Sequence, residues 1–321
     1  MTTDLLYLCA GLAGLVLGGE MLVRGAVAVA RRAGLSPMVI GLTLVGFGTS
    51  TPELVTSVQA AFAGSPGIAV GNVVGSNIAN ILLILGVAVL LAPMAIAPAA
   101  LRRDGGVLVL VSLLALAVAL VGNIGRPSGA GFLLLLIAYV AATLILERHR
   151  PTPAAGIYAA EAELVAPPAA LPAWRAWLTL LAGLALTIGA ARLLVTGAIS
   201  LATGLGVPEA VIGLSVVAVG TSMPELITSV IAARKGEGEV AFGNVVGSNI
   251  FNILGILGTT ALLQPIAVPE QIIRVDIWVM LAATAALVFV ARTGWRIGRR
   301  EGVLLVLGYV AYLAALVAAL P

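Results

Sequence analysis

Residues 218–252 read AVGTSMPELITSVIAARKGEGEVAFGNVVGSNIFN, and the core of that phrase already occurs upstream, as GFGTSTPELVTSV from Gly46 and GNVVGSNIAN from Gly71. Aligning the copies puts Gly48 on Gly220, Glu53 on Glu225, Asn72 on Asn244 and Asn80 on Asn252, all at one offset of 172 residues and without a gap. Over 41–86 against 213–258, 30 of 46 positions are identical, more than shared apolar composition produces. The chain carries an internal duplication.

The duplicated phrase is polar, and its setting is not. Of 321 residues 61% are hydrophobic and only 10% charged, where soluble domains carry roughly a quarter charged residues. Apolar stretches of the ~20 residues that a bilayer crossing needs recur from end to end, which predicts helices rather than the weak alternation of a barrel. Ten spans are expected, at 5–30, 37–62, 68–92, 105–122, 129–147, 174–203, 208–233, 239–263, 275–292 and 302–320. The start, MTTDLLYL, lacks the basic stretch of a cleaved signal, so the first segment is read as a permanent span.

Five spans separate equivalent points of the two copies, and an odd number of crossings turns the second copy over. The expected fold is therefore an all-α polytopic membrane protein of ten transmembrane helices, built as two inverted five-helix repeats. Residues 1–147 form the first repeat, 148–173 a Pro- and Ala-rich linker, and 174–321 the second repeat. Inverted repeats are a common architecture of secondary transporters, with the substrate site near the midplane where the repeats meet.

A net charge of +3 does not point to nucleic acid, because the charges are sorted by loop. Thirteen of the 17 basic residues, among them Arg31, Arg32, Arg102, Arg103, Arg234, Lys235 and Arg292, fall in alternate connections, against Arg126 and Arg274 on the other face. The positive-inside bias places both termini outside the cytoplasm and the linker inside. Cys9 is the only cysteine, which excludes an internal disulfide and a CxxC site. His149, in ERHRP at a cytoplasmic helix end, reads as part of a solvated basic cluster.

Each copy's first segment runs Gly-Thr-Ser-X-Pro-Glu, a poor recipe for an unbroken helix. Pro52 and Pro224 have no N–H and clash with the carbonyls of Gly48 and Gly220, so a kink is expected there, with carbonyls near Gly46–Gly48 and Ala218–Gly220 freed for a polar guest. Thr49, Ser50 and Glu53 share one helical face, as do Thr221, Ser222 and Glu225. Asn72, Ser76 and Asn80 form a stripe at i, i+4, i+8, repeated by Asn244, Ser248 and Asn252, while Gly71, Gly75, Gly243 and Gly247 permit close helix approach. The amides of Asn72, Asn77, Asn244 and Asn249 read equally well as interhelical glue. The glutamates do not: an ionisable group at mid-bilayer costs about 3 kcal/mol or more and is a functional candidate by default. Two carboxylates with hydroxyl, amide and carbonyl oxygens suit a hard cation, calcium above all, and His and Cys ligands for a transition metal are missing.

These motifs resemble the two alpha repeats of the calcium/cation antiporter superfamily, particularly its prokaryotic sodium/calcium exchangers. The resemblance implies an ion cage of Thr49, Ser50, Glu53, Ser76 and Asn80 with Thr221, Ser222, Glu225, Ser248 and Asn252, completed by backbone oxygens near Gly46 and Ala218. It implies alternating access, with the first and sixth spans (GGEMLVRGA and GAARLLVTGA) sliding against the other eight. It also implies Na+ and Ca2+ as the transported ions, no separate cofactor, no obligate protein partner and a prokaryotic plasma membrane as the site of action. The chain departs from the potassium-dependent branch, which has Asp where Asn252 stands, and from the proton-driven branch, which has Glu where Gly75 and Gly247 stand; sodium coupling is favoured. The alternatives are a calcium/proton antiporter on the same scaffold, an intramembrane enzyme, for which no HExxH or nucleophile elbow is found, and a channel. Glu20 and Arg24 are four residues apart and expected to pair, while Arg192 takes the place of Glu20 in the second copy.

Overall fold

The computed structural model describes residues 2–36, 39–149, 160, 162–163 and 172–320. Most of the expected linker lies outside the described residues. Among the described residues the regular structure is helical but for two small ribbons. Helix α1 covers Thr2–Arg32, α2 Thr51–Phe62, α3 Pro66–Leu91, α4 Gly106–Ala119 and α5 Arg126–His149. The later helices are α6 Ala173–Leu205, α7 Glu209–Thr221, α8 Met223–Arg234, α9 Gly238–Leu263, α10 Ile272–Arg292 and α11 Arg299–Ala318.

Among the described residues seven helices are long and apolar enough to cross a membrane, and an eighth follows if α7 and α8, bent by 45°, count as one span. Two of the ten expected spans fall short for physical reasons. The segment at 37–62 is interrupted: a π-helical turn at Ile40–Val45 leads into a tight turn, and regular helix resumes only at Thr51. The one at 105–122 begins in a π-helical turn, Leu101–Gly105, which leaves a regular helix of 14 residues. Side chains such as Leu110, Ile137, Leu304 and Phe289 are more than 60% exposed on the outer helices, apolar surface that lipid rather than water must cover. By contrast α3 and α9 are 83% and 89% buried over their membrane-length windows and form the centre of the bundle.

Helices α1 and α6 pack along most of their length, antiparallel. A Cβ on Gly25 would stand 2.4 Å from the Leu180 nitrogen, and one on Gly11 would stand 2.6 Å from that of Leu194; rising residue numbers on one helix meet falling ones on the other. The contact repeats itself under the 172-residue offset, since Gly11 and Leu194 correspond to Gly183 and Leu22, where the clash distance is 2.4 Å. Without side chains at these positions the two backbones touch directly.

The same self-complementarity recurs elsewhere. Ser112 lies 3.4 Å from Thr284, its own counterpart 172 residues on, so that contact sits on the local two-fold relation. Strands β1 (Met94–Ala95) and β4 (Arg296–Ile297) pair antiparallel, as do β2 (Asn123–Ile124) and β3 (Ile266–Ala267). Each ribbon ties a loop of the first copy to a loop of the second. A Tyr–Asp hydrogen bond is duplicated as well: Tyr139 donates to Asp104 at 3.0 Å and Tyr312 to Asp276 at 2.9 Å.

Candidate functional site

The break that proline forces in each copy places a serine at the N-cap of a helix and a glutamate in its first turn. Ser50 (φ −87°, ψ 11°) precedes α2 and Ser222 (φ −82°, ψ 10°) precedes α8, leaving helical geometry at equivalent points. Pro52 and Pro224 then occupy the first turn, where a missing N–H costs nothing. Glu53 and Glu225 follow, both fully buried, at the positive ends of their helix dipoles.

The two sites are interlocked. The Ser50 hydroxyl donates to Glu225 Oε1 at 2.7 Å, and the Ser222 hydroxyl donates to Glu53 Oε1 at 2.9 Å. Each carboxylate is therefore held by the helix cap of the other copy. Among the described residues neither glutamate forms an ion pair with Arg or Lys. The second carboxylate oxygens, Glu53 Oε2 and Glu225 Oε2, are buried and make no hydrogen bond to protein.

The asparagines divide into two kinds. Asn72 donates to Glu53 O at 3.1 Å and to Ser57 Oγ at 2.9 Å, and accepts from Thr221 at 3.0 Å. Asn244 repeats the donor half of this pattern with Glu225 O at 3.4 Å and Ser229 Oγ at 2.9 Å. Both amides thus brace the helices that carry the glutamates. Asn77 turns back on its own helix, bonding Val73 O at 2.8 Å. Asn80, Asn249 and Asn252 differ: fully buried, they have no protein partner on either side-chain atom. Asn80 and Asn252 each open a π-helical turn, Asn80–Leu85 and Asn252–Leu257, a feature that widens a helix and recurs at functional sites.

Thr49 and Ser248 lie beside the Glu225 carboxylate with Ser50, though their hydroxyls make no hydrogen bond of ordinary length and angle. Ser76 donates to the Ala218 carbonyl at 3.4 Å. That carbonyl also accepts from the Ser222 N–H at 3.1 Å and the Thr221 hydroxyl at 3.3 Å, so the break does not orphan it. Nor is Gly48 left without a donor, because a tighter turn brings the Thr51 N–H to its carbonyl at 3.1 Å. Gly46 opens this turn. Of the carbonyls expected to be freed, those of Gly48 and Ala218 are thus recaptured locally, while side chains supply buried oxygens without partners.

The sequence reading did not find Ser57 and Ser229 as braces, the Asn72–Thr221 contact, or the stacking of Phe47 on Phe251 (centroids 4.5 Å apart) beside the site. A hydroxyl 15 residues before each asparagine was the available signal. Buried side-chain oxygens without partners include those of Thr49, Glu53, Asn80, Glu225, Ser248 and Asn252. Two like charges in an apolar interior are costly unless a cation or protons neutralise them. Among the described residues no cluster of three or more His, Cys, Asp or Glu occurs; the donor set is two carboxylates and neutral oxygens, the chemistry of a hard ion.

A bundle of membrane-length helices around such a set of buried oxygens belongs to the class of membrane transporters for cations. The chain matches the sodium/calcium exchanger protein family over residues 3–145 and 175–318. It is 37% identical over 346 residues to sodium/calcium exchanger MaX1 of Methanosarcina acetivorans, covering 98% of this chain and 99% of that protein. Inner membrane protein YrbG of Escherichia coli is 36% identical over 316 residues, covering 96% and 95%. A solved structure of the sodium-calcium exchanger NCX_Mj, soaked with Na+ and Ca2+, superimposes with a TM-score of 0.65 at 30% identity, covering 97% of both chains. The chain belongs to the sodium/calcium exchanger family and is a membrane-embedded cation/calcium antiporter rather than an enzyme.

Proposed function

We propose that the protein exchanges Na+ for Ca2+ by alternating access at a single site between two inverted five-helix repeats. The observation that carries this reading is the crossed pair of hydrogen bonds, Ser50 to Glu225 and Ser222 to Glu53. It makes one chamber from the two copies. Glu53 and Glu225 supply the charge, Thr49, Ser50, Ser76, Thr221, Ser222, Ser248, Asn80 and Asn252 the neutral oxygens, and Gly46 and Ala218 the adjoining backbone.

One divalent ion neutralises the two carboxylates, and so do two monovalent ones. Sodium and calcium therefore compete for the same oxygens, and sodium moving down its gradient displaces calcium. In this reading α1 and α6, joined glycine to backbone, move as one body against the rest, which the two β-ribbons hold together. Ten crossings put both termini outside the cytoplasm of a prokaryotic plasma membrane and the arginine-rich loops inside. Gly75 and Gly247 stand where a proton-driven relative has glutamate, which supports sodium as the coupling ion.

The test is calcium uptake into proteoliposomes under an imposed sodium gradient, with a proton ionophore present. Uptake that follows the sodium gradient is expected. Uptake that ignores sodium and collapses with the ionophore would replace this reading with calcium/proton antiport.

A further inference from the structure

A cavity of about 160 Å³ lies between α1 and α8, with Thr49 and Pro224 among its lining residues. Along α8 it extends from Pro224 through Thr228 to Ile231, toward the end that carries Arg234; along α1 it reaches Arg24, toward Arg31 and Arg32. It thus runs from the glutamate site toward the arginine-rich face. Its walls are apolar apart from two threonines and one ion pair, Glu20 with Arg24 at 2.5 Å, both side chains half exposed.

That pair has no counterpart in the other copy. At the 172-residue offset Arg192 replaces Glu20 and Thr196 replaces Arg24, and Arg192 is exposed and forms no ion pair among the described residues. Duplication thus conserves the glutamate site but not the ion pair beside this cavity.

We propose that Glu20 is a cation-steering residue on the access path from the arginine-rich face, and that Arg24 is its displaceable counter-ion. Resting on the antiport reading above, this adds a sidedness that the site itself lacks. An arriving ion takes the place of Arg24 at the Glu20 carboxylate and passes Thr49 into the chamber, and Arg24 re-pairs behind it. A charge in a narrow low-dielectric cleft raises the local concentration of its counter-ion, and salt screens the effect.

The test uses the full-length protein in everted and right-side-out membrane vesicles, with calcium as the probe at low ionic strength. Glu20→Gln is expected to raise half-saturating calcium at the arginine-rich face by roughly threefold or more. Arg24→Gln is expected to lower it by a similar factor, because it frees the carboxylate. The double variant falls between them, Arg24→Lys stays at the wild-type value, and all the shifts shrink in high salt. Maximal rates at saturating calcium stay within about twofold of wild type. Loss of a merely structural ion pair would move both single variants in the same direction, and melting temperatures measured alongside expose any misfolding. Shifts of the same sign, no shift, or shifts at the opposite face overturn the proposal. If the wild-type protein shows no sodium-driven calcium exchange, the antiport reading has failed, and it does so before any variant is compared.

Discussion

Replacing Gly25 with alanine tests whether α1 and α6 form one tightly joined body. The added Cβ would sit 2.4 Å from the Leu180 nitrogen, 2.7 Å from its Cα and 2.9 Å from its Cβ. Ordinary contact begins near 3.4 Å, so the shortfall is close to 1 Å, and two of the three opposing atoms are backbone that no rotamer change can move. The helices must part. Overpacking of this kind costs about 1–3 kcal/mol. Alanine also gains up to about 1 kcal/mol of helix propensity over glycine, and Gly189→Ala on α6, where a Cβ meets nothing within 4 Å, gains the same amount without a clash. The propensity terms cancel between the two variants, leaving Gly25→Ala less stable than Gly189→Ala by about 1–3 kcal/mol. Gly183→Ala, with its clash against Leu22 at 2.4 Å, should behave like Gly25→Ala. The assay is thermal unfolding of the detergent-purified protein, followed by size-exclusion of the surviving fraction. A Gly25→Ala protein that melts at or above Gly189→Ala would refute direct backbone contact between the two helices.

Glu53→Gln and Glu225→Gln each remove one of two buried charges and are expected to abolish sodium-driven calcium uptake while the protein still reaches the membrane folded; uptake retained by either variant would contradict the site. Asn72→Ala should cost more stability than Asn244→Ala, because Asn72 makes three hydrogen bonds within the bundle and the Asn244 carbonyl oxygen accepts none. At about 1 kcal/mol for each net bond, the gap is visible as a lower melting temperature for Asn72→Ala, and equal melting would remove Thr221 from the account.

The duplication, the membrane environment and the two glutamates were legible in the amino-acid order, because polar residues stand out against an apolar background and a repeat is a property of order alone. Pro52 and Pro224 marked both helix breaks correctly, since the missing N–H is local chemistry. The fate of the carbonyls was not local. A turn tightened by one residue recaptured Gly48, and hydroxyls converged on Ala218.

Which polar side chains remain unsatisfied depends on partners far along the chain. Asn72 and Asn80 look alike in sequence, eight residues apart on one stripe, yet one is consumed by Ser57, Glu53 and Thr221 and the other bonds to nothing. The crossed bonds link residues 175 and 169 positions apart, a register set by how closely glycine lets the helices approach. Sequence alone determined which groups are present and that they come in two copies, and it is the ground for expecting those copies to face opposite ways. Only tertiary packing decided that the cap of each copy holds the carboxylate of the other, because hydrogen bonding acts over less than 3.5 Å and nothing short of the folded bundle brings those atoms within reach.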